Sequence, residues 1–196
     1  AQLVMVDLHI PAEYDYKIED VKVEMLDDHT LIGSCHQLTP RVWSSDADQE
    51  YTLHFYMEFS RPVLRSGSWA DGHQSEASQQ SIVNSQSEAS QQSILDGKRL
   101  TDAGVWVEFG DESREVLVRT GISLVSIDNA RDNLQKEMAE PFGWQFDAVV
   151  DNQLRAWNDI LSRVEITTPD RMEKVRFYTN LYRSFCRNRW SDVTGQ

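Results

Sequence analysis

Apolar and polar positions alternate with a period of two over most of the first 127 residues. Leu3-Val4-Met5-Val6-Asp7-Leu8-His9-Ile10 is short, apolar and partly alternating, and Val21-Lys22-Val23-Glu24-Met25 alternates strictly. Further strands are expected at Thr30–Cys35 and at Tyr51–Phe59, the latter stopped by Arg61-Pro62. The runs Gly104–Phe109, Glu115–Arg119 and Ile122–Ile127 complete the set. Short strands separated by turns, with no helix between most of them, predict an antiparallel β-sandwich rather than βαβ units.

After Ile127 the period changes to that of a helix. Ser126 to Asn129 offers cap residues before a helix over Ala130–Met138, which Pro141 and Gly143 should end. A second helix carries Phe146, Val149, Val150, Leu154, Trp157, Ile160, Leu161 and Val164 on one apolar stripe. Thr168-Pro169 marks a third helix start, with Met172, Val175, Tyr178, Tyr182 and Phe185 as its expected buried face. A sandwich with three trailing helices supplies few partners for such stripes. With the abrupt opening at Ala1-Gln2, this predicts that the chain is part of a longer protein.

Between residues 66 and 98 the pattern breaks. Gln74 to Ile82 recurs letter for letter at Gln86 to Ile94, a period of twelve residues. Two Ser/Gln-rich copies are too few for a solenoid and carry too little apolar surface to order themselves. The expectation is a flexible surface loop over 66–98.

Composition narrows the function classes. The chain has 196 residues, 32 acidic against 19 basic side chains and a net charge of −13. Twelve of the acidic residues, against three basic ones, fall in residues 1–60. Such a surface repels nucleic-acid phosphates and anionic membranes alike. No apolar run approaches the roughly 18–20 residues needed for a membrane span.

Candidate chemistry is sparse. The usual nucleotide-, zinc- and serine-hydrolase motifs are absent. Asp27-Asp28 is the nearest thing to a cation site, but Asp-Asp-His-Thr between two strands reads as a turn. His36 and His54 could meet across a sheet with Cys35 adjacent, if strand parity allows it. Cys35 and Cys186 form no CxxC motif, so they are either buried thiols or one disulfide in an exported protein. Asp170 and Glu173 at a helix start serve the helix dipole. Six Trp stand out, because sugar sites place aromatic faces against the apolar side of the ring. Trp106 and Trp157 fit a strand core and a helix core, whereas Trp43, Trp69 and Trp190 lie in or beside loops.

Several segments together resemble the family-92 glycoside hydrolases, the calcium-dependent exo-acting α-mannosidases. They are Gly121-Ile-Ser-Leu-Val-Ser-Ile-Asp-Asn-Ala-Arg-Asp-Asn-Leu134, Gly143-Trp-Gln-Phe-Asp-Ala148, Trp157-Asn-Asp-Ile-Leu-Ser-Arg-Val164, Phe177-Tyr-Thr-Asn-Leu-Tyr-Arg183 and Trp190-Ser-Asp-Val193. Upstream, Phe55-Tyr-Met-Glu-Phe-Ser-Arg-Pro62 looks like the family's strand before its variable loop.

The resemblance implies a supersandwich-like N-terminal β-sandwich, a helical linker and the start of a catalytic (α/α)₆ barrel. The expected boundaries are 1–127, 128–166 and 167–196. The inverting acid and base and the calcium ligands would then lie in the remaining barrel, with none of the catalytic residues in this chain. The parent is expected to be a secreted, periplasmic or cell-surface enzyme acting on mannose-capped glycans, with its catalytic domain in cis, and this stretch alone is expected to be inactive. The turn after the first barrel helix, Trp190-Ser191-Asp192, would approach the substrate. Trp190 could stack on sugar and Asp192 accept from a hydroxyl, or Asp192 could cap a turn while Trp190 packs between domains. Thr194 departs from the family, which usually has an acidic residue there, and so does the doubled Ser/Gln loop. Two readings from other classes stand beside it: a non-catalytic carbohydrate-binding sandwich and an interaction module.

Overall fold

The computed structural model describes residues 2–9, 17–39, 49–77, 92–100, 102–110, 114–185 and 191–194. Their strands are β1 (Gln2–Asp7), β2 (Lys17–Met25), β3 (Thr30–Thr39), β4 (Gln49–Phe59), β5 (Val63–Ala70), β6 (His73–Ala77), β7 (Gln92–Leu100), β8 (Ala103–Phe109) and β9 (Val118–Ser123). They form two sheets, ordered β1-β8-β5-β6 and β7-β2-β3-β4-β9. Every pair is antiparallel.

The sandwich follows from alternation. Val105, Val107 and Phe109 of β8 face inward and meet Val21, Val23, Met25, Leu31, Phe55 and Phe59 from the other sheet. Phe59 and Phe109 close the two layers edge-to-face, with ring centroids 5.4 Å apart. Trp106, expected in the core, instead stands between buried Val105 and Val107 on the outer side of β8. Strand parity puts it there.

The Ser/Gln region departs from expectation. β5 continues to Ala70, β6 takes the opening of the first repeat copy and β7 the close of the second. Polar composition is compatible with strands because pairing satisfies the backbone and small side chains fit between the layers. Ser66 and Ser68 are buried, and the Ser68 hydroxyl donates to the Ile94 carbonyl of the opposite sheet at 3.0 Å. Asp71 (φ 46°) and Gly72 (φ 82°) form the two-residue turn between β5 and β6, and both adopt the left-handed region such a hairpin needs. Residues 78–91 of the repeat lie outside the described residues.

Only one strand forms where Glu115–Arg119 and Ile122–Ile127 suggested two. Leu124 and Val125 are half-exposed because the chain turns at Ser123, whose hydroxyl accepts from the Val125 amide at 2.9 Å. Helix α1 (Ile127–Leu134) follows, capped by the Ser126 side chain on the Asn129 amide. It runs on through a π-helical segment, Gln135–Ala139, into the single turn α2 (Glu140–Phe142). Pro141 therefore does not end the helix. The helix runs through Pro141 to Phe142 and ends at Gly143 (φ 57°), the second of the two expected stops.

Helices α3 (Phe146–Leu161) and α4 (Arg171–Phe185) come next. Their periodicity is as expected, but the stripes are not buried within the described residues. Phe146 is 67% exposed, and Leu154, Met172 and Phe185 are about half-exposed. Trp157 of α3 is only half-buried and meets Tyr182 of α4 at 4.5 Å between ring centroids. No helix among the described residues is long and apolar enough to cross a membrane.

Candidate functional site

The polar groups that converge most closely lie where the sandwich meets the helices. The outer side of β9 carries Gly121, and α1 packs there with Ala130 and Leu134 fully buried. That packing brings Ser123, Asn129 and Asn133 to one point, with the turn after α4 opposite. The two asparagines are four apart on α1 and so share a face.

Asp192 accepts from all three. The Ser123 hydroxyl donates to Oδ2 at 2.7 Å and Asn129 Nδ2 to Oδ2 at 2.8 Å. Asn133 Nδ2 donates to Oδ1 at 2.9 Å and also holds the Ile122 carbonyl at 2.9 Å. Asn133 Oδ1 in turn accepts from the Val193 amide at 2.8 Å. Burial by itself would raise the Asp192 pKa, but the bonds from Ser123, Asn129 and Asn133 outweigh it and hold the carboxyl below its usual value. Asp192 is thus an ionised, half-buried tie between two segments. Ser191 beside it is exposed. Trp190 lies outside the described residues, as do Trp43 and Cys186.

The other sequence candidates come apart. Register pairs His36 with Thr52 and Ser34 with His54, so both histidines share the outer face of the five-stranded sheet. The ring nitrogen Nδ1 of His36 bonds Thr52 Oγ1 at 3.0 Å. Burial lowers the His54 pKa and keeps that ring neutral. Cys35 points the opposite way into the core, where burial pushes its thiol up to about 12. No three-residue site joins them.

Asp27, Asp28 and His29 offer ligand atoms within 4.8 Å of one another. Those atoms are already engaged. Asp27 Oδ1 accepts the His29 amide and Asp28 Oδ1 meets His29 Nδ1, each at 2.8 Å. Three such groups fall short of the six to eight oxygens calcium takes. Asp192 does not fit calcium either, because its neighbours turn N–H and O–H donors toward it. Among the described residues, none is a calcium centre.

Two family models divide the chain at this junction. The glycosyl hydrolase family 92 N-terminal domain matches residues 1–123, and the glycosyl hydrolase family 92 catalytic domain matches residues 129–196. The chain belongs to glycosyl hydrolase family 92. Ser123 is the last residue of the first match and Asn129 the first of the second, so Asp192 bonds to both.

Solved structures agree in fold. A family GH92 α-mannosidase of Bacteroides thetaiotaomicron is 23% identical with a TM-score of 0.69, over 99% of this chain and 23% of its own. The GH92 glycosyl hydrolase ccman5 is 22% identical with a TM-score of 0.68, over 98% of this chain and 23% of its own. A family GH92 inverting mannosidase of Bacteroides thetaiotaomicron is 21% identical with a TM-score of 0.60, over 98% of this chain and 22% of its own. This chain therefore spans under a quarter of the length of these relatives. No curated protein sequence matches it.

Proposed function

We propose that the protein carrying this chain removes terminal α-linked mannose from glycans by calcium-dependent inverting hydrolysis. In this reading the chain is the part that completes the substrate pocket without supplying the acid or the base. Residues 1–127 form the sandwich, 128–166 the helical linker, and 167–196 the first barrel helix and its turn. The observation that carries the proposal is the meeting of two family 92 domains at Asp192. The solved mannosidases of the same fold, one of them inverting, give the substrate class.

An inverting glycosidase needs one carboxylic acid to protonate the leaving oxygen and one carboxylate to activate water, about 6.5–9.5 Å apart. Both would lie in the rest of the catalytic domain, which would also cover the exposed stripes of α3 and α4. Calcium would be held there and would bind sugar hydroxyls. This chain's own contribution is positional. Asp192, ionised and tied at three points, fixes the turn that carries Ser191, and in this reading that turn borders the sugar. Among the described residues Asp192 Oδ1 accepts one bond, from Asn133 Nδ2 at 2.9 Å, which leaves a lone pair for a mannose hydroxyl. Export to the periplasm, cell surface or medium accords with a polymeric substrate.

The test is hydrolysis of an aryl α-mannoside by the intact protein, with calcium and then with chelator, the first-formed anomer being followed by proton NMR. The expected result is chelator-sensitive release of β-mannose. Release of α-mannose, or turnover by residues 1–196 alone, would overturn the mechanism or the placement of its carboxylates.

A further inference from the structure

The outer face of the four-stranded sheet carries a second feature that the junction does not use. Register places Leu3 and Met5 of β1, Trp106 and Glu108 of β8, and Arg65 and Trp69 of β5 on this one face. They border a groove of about 640 Å³, within the range of small-ligand sites. Helix α1 packs on the other sheet and leaves this face open among the described residues.

Leaving apolar groups here in water is unfavourable, yet Leu3 is 55% and Met5 61% exposed. Both indoles are partly exposed. Trp69 is held flat, with Nε1 donating to Asp102 Oδ1 at 3.1 Å. Its ring lies over Gly104, where any Cβ would overlap it. Trp106 lies across from Gly67, which has no side chain to cover it. Trp69 is thus fixed in place, and both indoles leave part of their surface open to solvent.

The polar groups decide what kind of ligand fits. Arg65 is neutralised by Glu108, with Nε to Oε2 at 2.7 Å, and Asp102 is occupied by Trp69. Among the described residues no unpaired cation faces the groove to hold a phosphate or sulfate, and the net charge of −13 repels anions. What remains is a guanidinium, carboxylates and the Gln74 amide beside aromatic faces. That combination suits a neutral ring with an apolar C–H side and a hydroxyl edge.

We propose that this face is a glycan-binding surface separate from the Asp192 junction, holding a polymeric substrate through Trp69 and Trp106. The choice of an α-mannan as ligand rests on the glycosidase reading above.

The experiment uses the intact protein and soluble α-mannan. Exposed indoles are oxidised with N-bromosuccinimide, and Trp69 and Trp106 are read by peptide mass spectrometry with and without the polysaccharide. Both should react in the free protein and be protected by mannan. In mannan affinity electrophoresis, Trp106→Ala should weaken binding about tenfold. Trp106→Phe should retain most of it, and kcat/KM for an aryl α-mannoside should not change. Indoles that resist oxidation in the free protein would mean its own chain covers the face, and the proposal falls. It also falls if mannan protects neither residue, or if Trp106→Ala lowers aryl mannoside turnover as much as mannan binding. Should Trp106→Ala not fold, the protection measurement on unaltered protein decides alone. Protection without any mannoside turnover would uphold this surface and sink the proposed enzymatic activity instead.

Discussion

Replacing Gly121 with alanine tests whether α1 is seated on β9 as described. A methyl group there would lie 2.8 Å from both the backbone N and the Cβ of Leu134, and would overlap the Ala130 carbonyl oxygen. These are helix backbone atoms and a Cβ, so no rotamer change relieves the contact. Helix α1 would have to lift by about 1 Å, which forfeits a quarter to a half of the dispersion energy across the seam. Overpacking of this kind destabilises by about 1–3 kcal/mol. Partial re-exposure of Leu134, now 1% exposed, adds about 1 kcal/mol. A total near 3 kcal/mol corresponds to a fall of about 6–12 °C in the melting temperature of the sandwich.

Thermal and urea unfolding of Gly121→Ala in the intact protein read this directly. A second variant sharpens the test. Leu134→Ala alone should destabilise by about 2–4 kcal/mol through the cavity it leaves. It should not rescue Gly121→Ala, because the clashing Cβ and backbone N of residue 134 remain. A loss below about 1 kcal/mol for Gly121→Ala, or rescue in the double variant, would refute the seating of α1.

Asp192→Ala should destabilise by about 1–2 kcal/mol, because buried Ser123 and Asn133 would lose an acceptor. Since the folded pKa of Asp192 is depressed, its stabilisation is present above the unfolded value of about 3.9 and is lost as pH falls through the folded one. The gap between wild type and Asp192→Ala in urea midpoints should therefore close only in acid. A gap that stays constant to pH 2 would refute the tie. Arg119 pairs with Glu58 at 2.6 Å, donates to the Gly143 carbonyl at 3.1 Å and lies 4.2 Å from the Trp144 ring centroid. Arg119→Ala should destabilise by about 2 kcal/mol and expose the 143–146 turn to protease, and unchanged nicking would count against it. Cys35, buried with its thiol pushed to about 12, should ignore Ellman's reagent at pH 8 until the protein unfolds, as read on a Cys186→Ser background.

Period-two alternation revealed β1, β2, β4 and β8 because successive side chains face in and out of the sandwich, and β3 was read from its short apolar run although both of its faces are largely covered. Alternation failed for β5 to β7. Ser66 and Ser68 are buried polar residues whose place is set by partners on other strands, and composition does not report pairing. A local signal was nevertheless present, since Asp71-Gly72 is a strong hairpin dipeptide. Trp106 was misassigned for a related reason: alternation gives two faces but not which one is the core. The first helix was legible as far as its stop at Gly143, but its passage through Pro141 by way of a π turn was not, because no local rule anticipates one. The junction was half-legible. Asn129 and Asn133 share a helix face in sequence, but Asp192 is 63 and 59 residues away from them.

That separation bears on how the two domains communicate. Ser123 and Asn129 bracket the family boundary and lie on opposite sides of the α1 cap, yet one carboxylate holds both. The cap residue Ser126 also donates its hydroxyl to Asn129 Oδ1 at 3.2 Å, so cap and tie share a residue. A displacement of α1 along β9 would strain the Asn133 bonds to Ile122 and Asp192 together, because one amide group makes both. The turn after α4 is therefore registered against the sandwich through side chains rather than through α4 itself. Substitutions in the sandwich edge should then alter the turn at 191–194 without touching it, and substitutions on the far face of α4 should not.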